Sequence, residues 1–241
     1  MEFGARRAQG YDSATYGARA AYIGGVAGTA TVSAGMMFGI PVVGTMAHSF
    51  VQSFDSEFEA FKAYALTYPD DCVLLVDTYD TLKSGVPNAI KVALEVLKPM
   101  GKKLKGIRHD SGDIAYLSKR ARVMLDVAGL HDTTITASNS LDEYLIRSLL
   151  DQGAQIDSFG VGENLIVSHS SPVFGGVYKL VAIEKNGEII PKIKISENTE
   201  KITNPGYKKV YRLFENETGK AIGDVIAFHD EKISSDQDLT I

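Results

Sequence analysis

Residues 104–113, LKGIRHDSGD, bring together a cation (Arg108), two carboxylates (Asp110 and Asp113), a hydroxyl (Ser111) and the flexible Gly112. A short apolar run, 104–107, precedes the cluster, and 114–129 follows with the apolar spacing of a helix. The cluster therefore sits where a strand ends and a helix begins. Ligands bind at such places in α/β proteins, because strand-end loops converge there and helix N-termini offer free N–H groups. One arginine, two carboxylates and a Gly-Ser turn suit a ligand that carries both phosphates and sugar hydroxyls. The same residues also read as a capped helix start, with Ser111 or Asp110 as N-cap and Asp113 in the first turn.

Recurrence along the chain separates the two readings. The continuous apolar run 71–76, DCVLLV, has the character of a buried parallel strand and ends in Asp77-Thr78-Tyr79-Asp80. The strand expected over 132–137 ends in Ser138-Asn139, and the one over 158–162 runs into Gly160 and Gly162. The short apolar stretch 39–44, GIPVVG, reads as a buried strand followed by Thr45, His48 and Ser49. A His and a Ser there suit a nucleophile or phosphate site, though a lone His in that place more often belongs to a capping pair. Near the start, EFGARRAQ sets Arg6 beside Arg7, a pair able to hold carboxylates or phosphates, though such a pair by itself is more often an exposed basic turn.

Helical patterns fill the gaps. One or two small-residue helices are expected over 12–37, an amphipathic helix over 50–66, a crossover helix over 85–100 stopped by Gly101, and a helix over 141–153 with Asp142 and Glu143 in its first turn. Strand starts recur roughly every thirty residues, as βαβ units require. Parallel strands of this kind make an open sheet or a barrel, with the active face at their C-terminal ends. Polar strand ends in succession are hard to ascribe to capping alone. From about 176 to 229 the texture changes to apolar alternation around Asn186-Gly187 and Thr218-Gly219, the signature of antiparallel hairpins. The segment 192–209 reads as a basic loop and 230–241 as a mobile tail.

Composition narrows the class. With 44% hydrophobic and 23% charged residues the chain is globular, and a net charge of −5 gives no electrostatic case for nucleic acid or an anionic membrane. The lone Cys72 forms no internal disulfide and fits an intracellular, cytoplasmic protein. MEFGARR turns polar at once, so no signal peptide is expected, and so dense a motif at the start suggests a chain that begins part-way into a larger protein.

Taken jointly and in order, EFGARRAQ, GTMAHSF, LLVDTYDT, IRHDSGD, ASNSLDE, FGVG and GGVYKLV resemble the nicotinate phosphoribosyltransferase family over nearly the whole chain. The resemblance implies an irregular α/β barrel over 1–175, with the strands of 176–229 belonging to a second, α/β sandwich domain. It implies that nicotinate and 5-phosphoribosyl 1-pyrophosphate give nicotinate mononucleotide and pyrophosphate in NAD salvage. ATP is a co-substrate acting through a phosphohistidine, Mg²⁺ assists, no tightly bound organic cofactor is needed, and the assembly is a homodimer.

By the matching motifs, Asp77 and Asp110 would hold ribose hydroxyls and Mg²⁺, with Asp113 and Ser111 in support. Arg108 would lie between base and pyrophosphate. Ser138, Asn139, Gly160 and Gly162 would cradle the 5′-phosphate. Arg6 would meet the nicotinate carboxylate with Arg7 nearby, and His48, flanked by Thr45 and Ser49, would be the phosphorylated histidine. Glu163 departs from the Thr that many relatives carry, and a carboxylate there repels phosphate unless it turns away. The related nicotinamide phosphoribosyltransferase, which shares the barrel, the histidine and the DSGD-like motif, is the alternative enzyme. A non-catalytic fragment of the same fold is the alternative of another class.

Overall fold

The computed structural model describes residues 1–172, 179–193, 204–233 and 239–240. Much of the basic segment 192–209, and parts of GGVYKLV and of the tail, lie outside the described residues. The chain forms two compact units, Met1–Val173 and Phe174–Ile241.

The first unit is built on a parallel sheet in the order β1 (Val73–Leu75), β2 (Gly106–His109), β3 (Thr134–Ala137) and β4 (Ser158–Phe159). Leu74 pairs with Ile107 and Ile107 with Ile135, a row of aliphatic side chains that is fully buried. Burial on both faces is why these short strands read as continuous apolar runs rather than alternating ones. Single parallel bridges extend the array from Val161 to Glu2, from Glu2 to Thr29 and from Thr29 to Val42. This last bridge is all that forms where a strand was expected over 39–44. Pro41 has no N–H to give, Gly39 is left-handed at φ 67°, and Val42 is exposed.

Helices cover the sheet. The small-residue region gives α1 (Tyr11–Ile23) and α2 (Val32–Phe38). The helix expected over 50–66 is instead two, α3 (His48–Gln52) and α4 (Glu57–Thr67). The break comes at Ser56, whose hydroxyl accepts from the Glu59 N–H, an S-x-x-E start written in the sequence. The crossover helix begins earlier than expected, because Asp80 accepts from the Leu82 and Lys83 N–H groups. A helical run then holds through α5 (Val86–Val92) to Met100 and ends at left-handed Gly101. The remaining helices are α6 (Ile114–Val127), α7 (Glu143–Asp151), capped by Asp142, and the short α8 (Glu163–Ile166). Phe61, Leu97 and Leu125 pack with Leu74 and Ile107 into the main core. No described helix is long and apolar enough to cross a membrane.

The second unit is antiparallel. β5 (Ala182–Lys185) and β6 (Glu188–Pro191) form a hairpin through Asn186 and Gly187, both at positive φ, as a type I′ turn demands. β7 (Lys208–Glu215) pairs with β8 (Ala221–Phe228) across a turn that closes on Gly219. Within the stretch read as a mobile tail, β9 (Leu239–Thr240) pairs with β7. Two ladder residues are enough to recruit backbone groups without any apolar pattern, so the sequence carries no sign of it.

Candidate functional site

Successive residues of a strand face opposite sides of the sheet. Arg108, Asp110, Ser138, Gly160 and Gly162 are spaced by twos along β2, β3, β4 and their ends, and all line one open pocket of about 410 Å³. Phe3, Arg6, Arg7, Thr45, His48, Asn139 and Glu163 also face it. The volume suits a nucleotide-sized ligand.

Arg108 is the hub. Its Nε donates to Ser138 Oγ at 2.8 Å, one terminal nitrogen donates to Asp110 Oδ1 at 3.1 Å, and the other reaches Thr45 Oγ1 at 3.4 Å. The Ser138 hydroxyl also donates to Asp110 Oδ1. Burial pushes the Asp110 carboxyl up, but the Ser138 hydroxyl and the Arg108 guanidinium outweigh it and hold the group below the ordinary carboxylate range. Asp110 is thus an anion fixed in a half-buried site, which is what stabilises a developing cation.

Asp77 lies beneath. Its side chain is only 2% exposed, which rules out a solvated loop acid. Its Oδ2 accepts from the Asp110 N–H at 3.0 Å and the Ser111 hydroxyl at 2.5 Å, while Oδ1 is buried without a hydrogen-bond partner. Ser111 therefore acts on Asp77 and lies outside the pocket lining. Asp113 is exposed and caps α6, accepting from the Tyr116 N–H at 3.0 Å. The cap is thus Asp113 itself, where Ser111 or Asp110 was expected to cap and Asp113 to lie in the first turn, because the Asp110 N–H and the Ser111 hydroxyl are taken by Asp77.

His48 follows the N-cap of α3, Ala47, so it is no capping residue. Its Nδ1 is 3.1 Å from the Thr78 hydroxyl, and its Nε2 is 3.6 Å from Asp110 Oδ2 and 3.9 Å from Asp77 Oδ1. Ser49 is exposed in the first turn of α3 and is absent from the lining.

The opposite wall comes from EFGARR. The buried Glu2 accepts from the Gly4 N–H and from the hydroxyls of Thr29 and Thr31, which pins the motif to the sheet edge. Phe3 then presents its ring to the pocket, with the Arg108 guanidinium 5.5 Å from its centroid. Gly160 lies flat against that ring: an added Cβ would meet it at 2.6 Å. Arg6 and Arg7 stand exposed on a single helical turn, Ala5–Arg7. Glu163 turns toward Arg7, with Oε2 3.3 Å from its Nε. Just past the end of β3, Asn139 and Ser140 both hold positive φ, 89° and 48°, strain of the kind that persists where surroundings fix it.

Sequence reasoning missed Phe3, Thr78, Glu2 and Ser140. Thr78 was legible in principle, being a hydroxyl in the same strand-end loop as Asp77. Glu2 was not, because its partners come from distant segments.

The model of the nicotinate phosphoribosyltransferase (NAPRTase) family matches residues 1–218. The chain is 53% identical over 241 residues to the nicotinate phosphoribosyltransferase of Bacillus subtilis (strain 168), an alignment covering 99% of this chain and 48% of that protein. Its fold is similar to the crystal structure of human nicotinic acid phosphoribosyltransferase, with a TM-score of 0.67 and 28% identity over 96% of this chain and 52% of that one. It is also similar to the nicotinate-nucleotide pyrophosphorylase from Pyrococcus furiosus, with a TM-score of 0.59 and 27% identity over 96% and 54% of the two chains. The chain spans about half the length of the curated relatives it matches.

Proposed function

Because the chain belongs to the nicotinate phosphoribosyltransferase family, we propose that it carries the site at which nicotinate is joined to 5-phosphoribosyl 1-pyrophosphate, releasing nicotinate mononucleotide and pyrophosphate. The observation that carries the reading is the meeting of Arg108, Asp110, Asp77 and His48 at the C-terminal ends of a parallel sheet.

The reaction needs no strong base. The pyridine nitrogen attacks the anomeric carbon as its bond to pyrophosphate breaks, and the sugar becomes oxocarbenium-like. Asp110, held ionised at the pocket wall, accepts from the ribose hydroxyls, and Asp77, buried behind it, adds negative charge beside that cation. Phe3 gives the flat pyridine ring a wall, and Arg6 meets its carboxylate. Ser138, its hydroxyl committed to Asp110, fixes Arg108 toward base and leaving group, while Asn139, Gly160 and Gly162 receive the 5′-phosphate. Holding both reactants in line supplies much of the acceleration.

Mg²⁺ fits this donor set. Among the described residues no three His, Cys, Asp or Glu side chains converge as a cage. Mg²⁺ beside phosphates needs only one or two carboxylates. Asp110 Oδ2, at the pocket wall beside His48, and Asp77 Oδ1, buried behind it without a hydrogen-bond partner, are the oxygens that would hold it with the donor. When bound, it would neutralise the departing pyrophosphate.

His48 is the residue for ATP coupling, a nucleophilic ring held between Thr78 and two carboxylates. The barrel, the sandwich domain completed by the rest of the protein, the cytoplasmic homodimer and the place in NAD salvage belong to the same proposal. Assaying the full-length protein with nicotinate, donor, ATP and Mg²⁺ tests it. The expected product is nicotinate mononucleotide, with nicotinamide a poor substrate. Equal turnover of nicotinamide, or binding without turnover, would overturn it.

A further inference from the structure

The pocket wall carries three guanidiniums, and the described residues treat them differently. Arg108 is committed to Asp110, Ser138 and Thr45. Arg7 is committed to Glu163 at 3.3 Å. Arg6 makes no hydrogen bond or ion pair with a described residue. The Arg7–Glu163 pairing follows from backbone packing rather than from a chance meeting of surface charges. Ile166 of α8 is buried against Gly4, where an added Cβ would meet the Ile166 Cβ at 2.5 Å and the Gly162 carbonyl oxygen at 2.8 Å. That contact locks the start of α8, and hence Glu163, beside the turn that carries Arg6 and Arg7.

We propose that Glu163 is a specificity-determining residue which, by neutralising Arg7, makes the pocket accept pyridine monocarboxylates and turn away pyridine dicarboxylates. The inference rests on the reading above that the pocket takes a pyridine carboxylate. A monocarboxylate needs one guanidinium fork, and Arg6 supplies it. A dicarboxylate needs a second, and the one next to Arg6 is already occupied. Its extra charge also faces the Glu163 carboxylate. Two adjacent free arginines would weaken that preference, so the carboxylate at 163 helps an Arg-Arg motif serve a singly charged acid. Both side chains are 57% exposed, which makes the pair weak in water and the discrimination it adds moderate.

The test uses the full-length enzyme, with pyridine-3-carboxylate as substrate and pyridine-2,3-dicarboxylate as competing ligand. Glu163→Gln should lower the inhibition constant of the dicarboxylate about two- to fivefold, the span of an exposed ion pair. The KM for pyridine-3-carboxylate should move less than that. Glu163→Asp should restore part of the exclusion. In the Arg7→Gln background Glu163→Gln should bring only a smaller gain, because no second fork is left to free. An unchanged inhibition constant in Glu163→Gln, or an equal gain in the presence and absence of Arg7, would overturn the proposal. Calorimetry of the wild type with pyridine-3-carboxylate keeps the two levels apart: no binding there would overturn the reading of the pocket itself.

Discussion

His48 Nε2 stands 3.6 Å from Asp110 Oδ2, so the imidazole and the carboxylate tied to Arg108 share one site although 62 positions separate them in the chain. On the proposed function, a phosphoryl group on His48 would add negative charge beside Asp110 and Arg108 and would so couple the state of the histidine to the grip on the sugar donor. His48→Ala in the full-length enzyme should therefore abolish the tightening of donor binding by ATP while leaving the fold intact. Donor titrations with and without ATP measure this, and persistence of the ATP effect would remove His48 from the coupling.

Asp110→Asn keeps the shape and the hydrogen bonds to Arg108 and Ser138 but removes the charge. With the electrostatic support of the oxocarbenium gone, kcat should fall on the order of a hundredfold or more, as for other preorganised charges. Pre-steady-state turnover beside circular dichroism checks it. A loss under tenfold would assign the charge stabilisation to Asp77.

On the proposed function, Arg6 would decide between a carboxylate and a carboxamide. A charge-assisted hydrogen bond is worth about 1.5–3 kcal/mol, which corresponds to roughly a ten- to hundredfold preference. Arg6→Ala should lower kcat/KM for nicotinate by about that factor, with little change in donor affinity. Arg6→Lys should rescue only in part, since the planar fork is lost. An unchanged nicotinate-to-nicotinamide ratio would transfer the recognition to another arginine.

Acid should weaken the fold through His109. The ring is fully buried, both nitrogens lack partners, and burial pushes its pKa down to about 4 against the pull of Asp77. Its ordinary value is 6.5, so between 6.5 and about 4 the unfolded chain takes up a proton that the folded one refuses. Stability is therefore complete above pH 6.5 and is lost as pH falls toward 4, by on the order of 3 kcal/mol if the whole shift is realised. His109→Leu should flatten that limb in chemical denaturation at pH 7 and pH 5. An unaltered slope would mean that a water or a rearrangement satisfies the ring.

Gly85 sits where the crossover run grazes β1: an added Cβ would lie 1.8 Å from the Val76 carbonyl oxygen. Gly85→Ala should destabilise the first unit by ~3 kcal/mol or more. Gly223→Ala, with nothing within 4 Å of the new methyl, should stay within about 0.5 kcal/mol. Thermal melts of the two variants make the comparison.

The sequence by itself determined the elements whose signals are local. Buried apolar runs such as DCVLLV, the polar residues at their ends and the Asn186-Gly187 turn need no distant partner to be read, because periodicity and turn chemistry are short-range. It also carried the S-x-x-E start at Ser56 that divides α3 from α4, although the apolar pattern across it hid the break. What only the tertiary structure decided is which of these residues meet. Whether Asp77 or Asp80 is buried, and whether Asp110 or Asp113 caps α6, depends on strand register and on the arrival of segments tens of residues away. Glu163 is the clearest case: in the sequence, beside glycines expected to hold phosphate, its charge reads as a fault, and only the fold shows it paired with Arg7 at 3.3 Å, where packing of Ile166 against Gly4 holds the two together. Charge type is a property of the sequence, but pairing of charges is a property of distance, and distance is fixed only when the core closes.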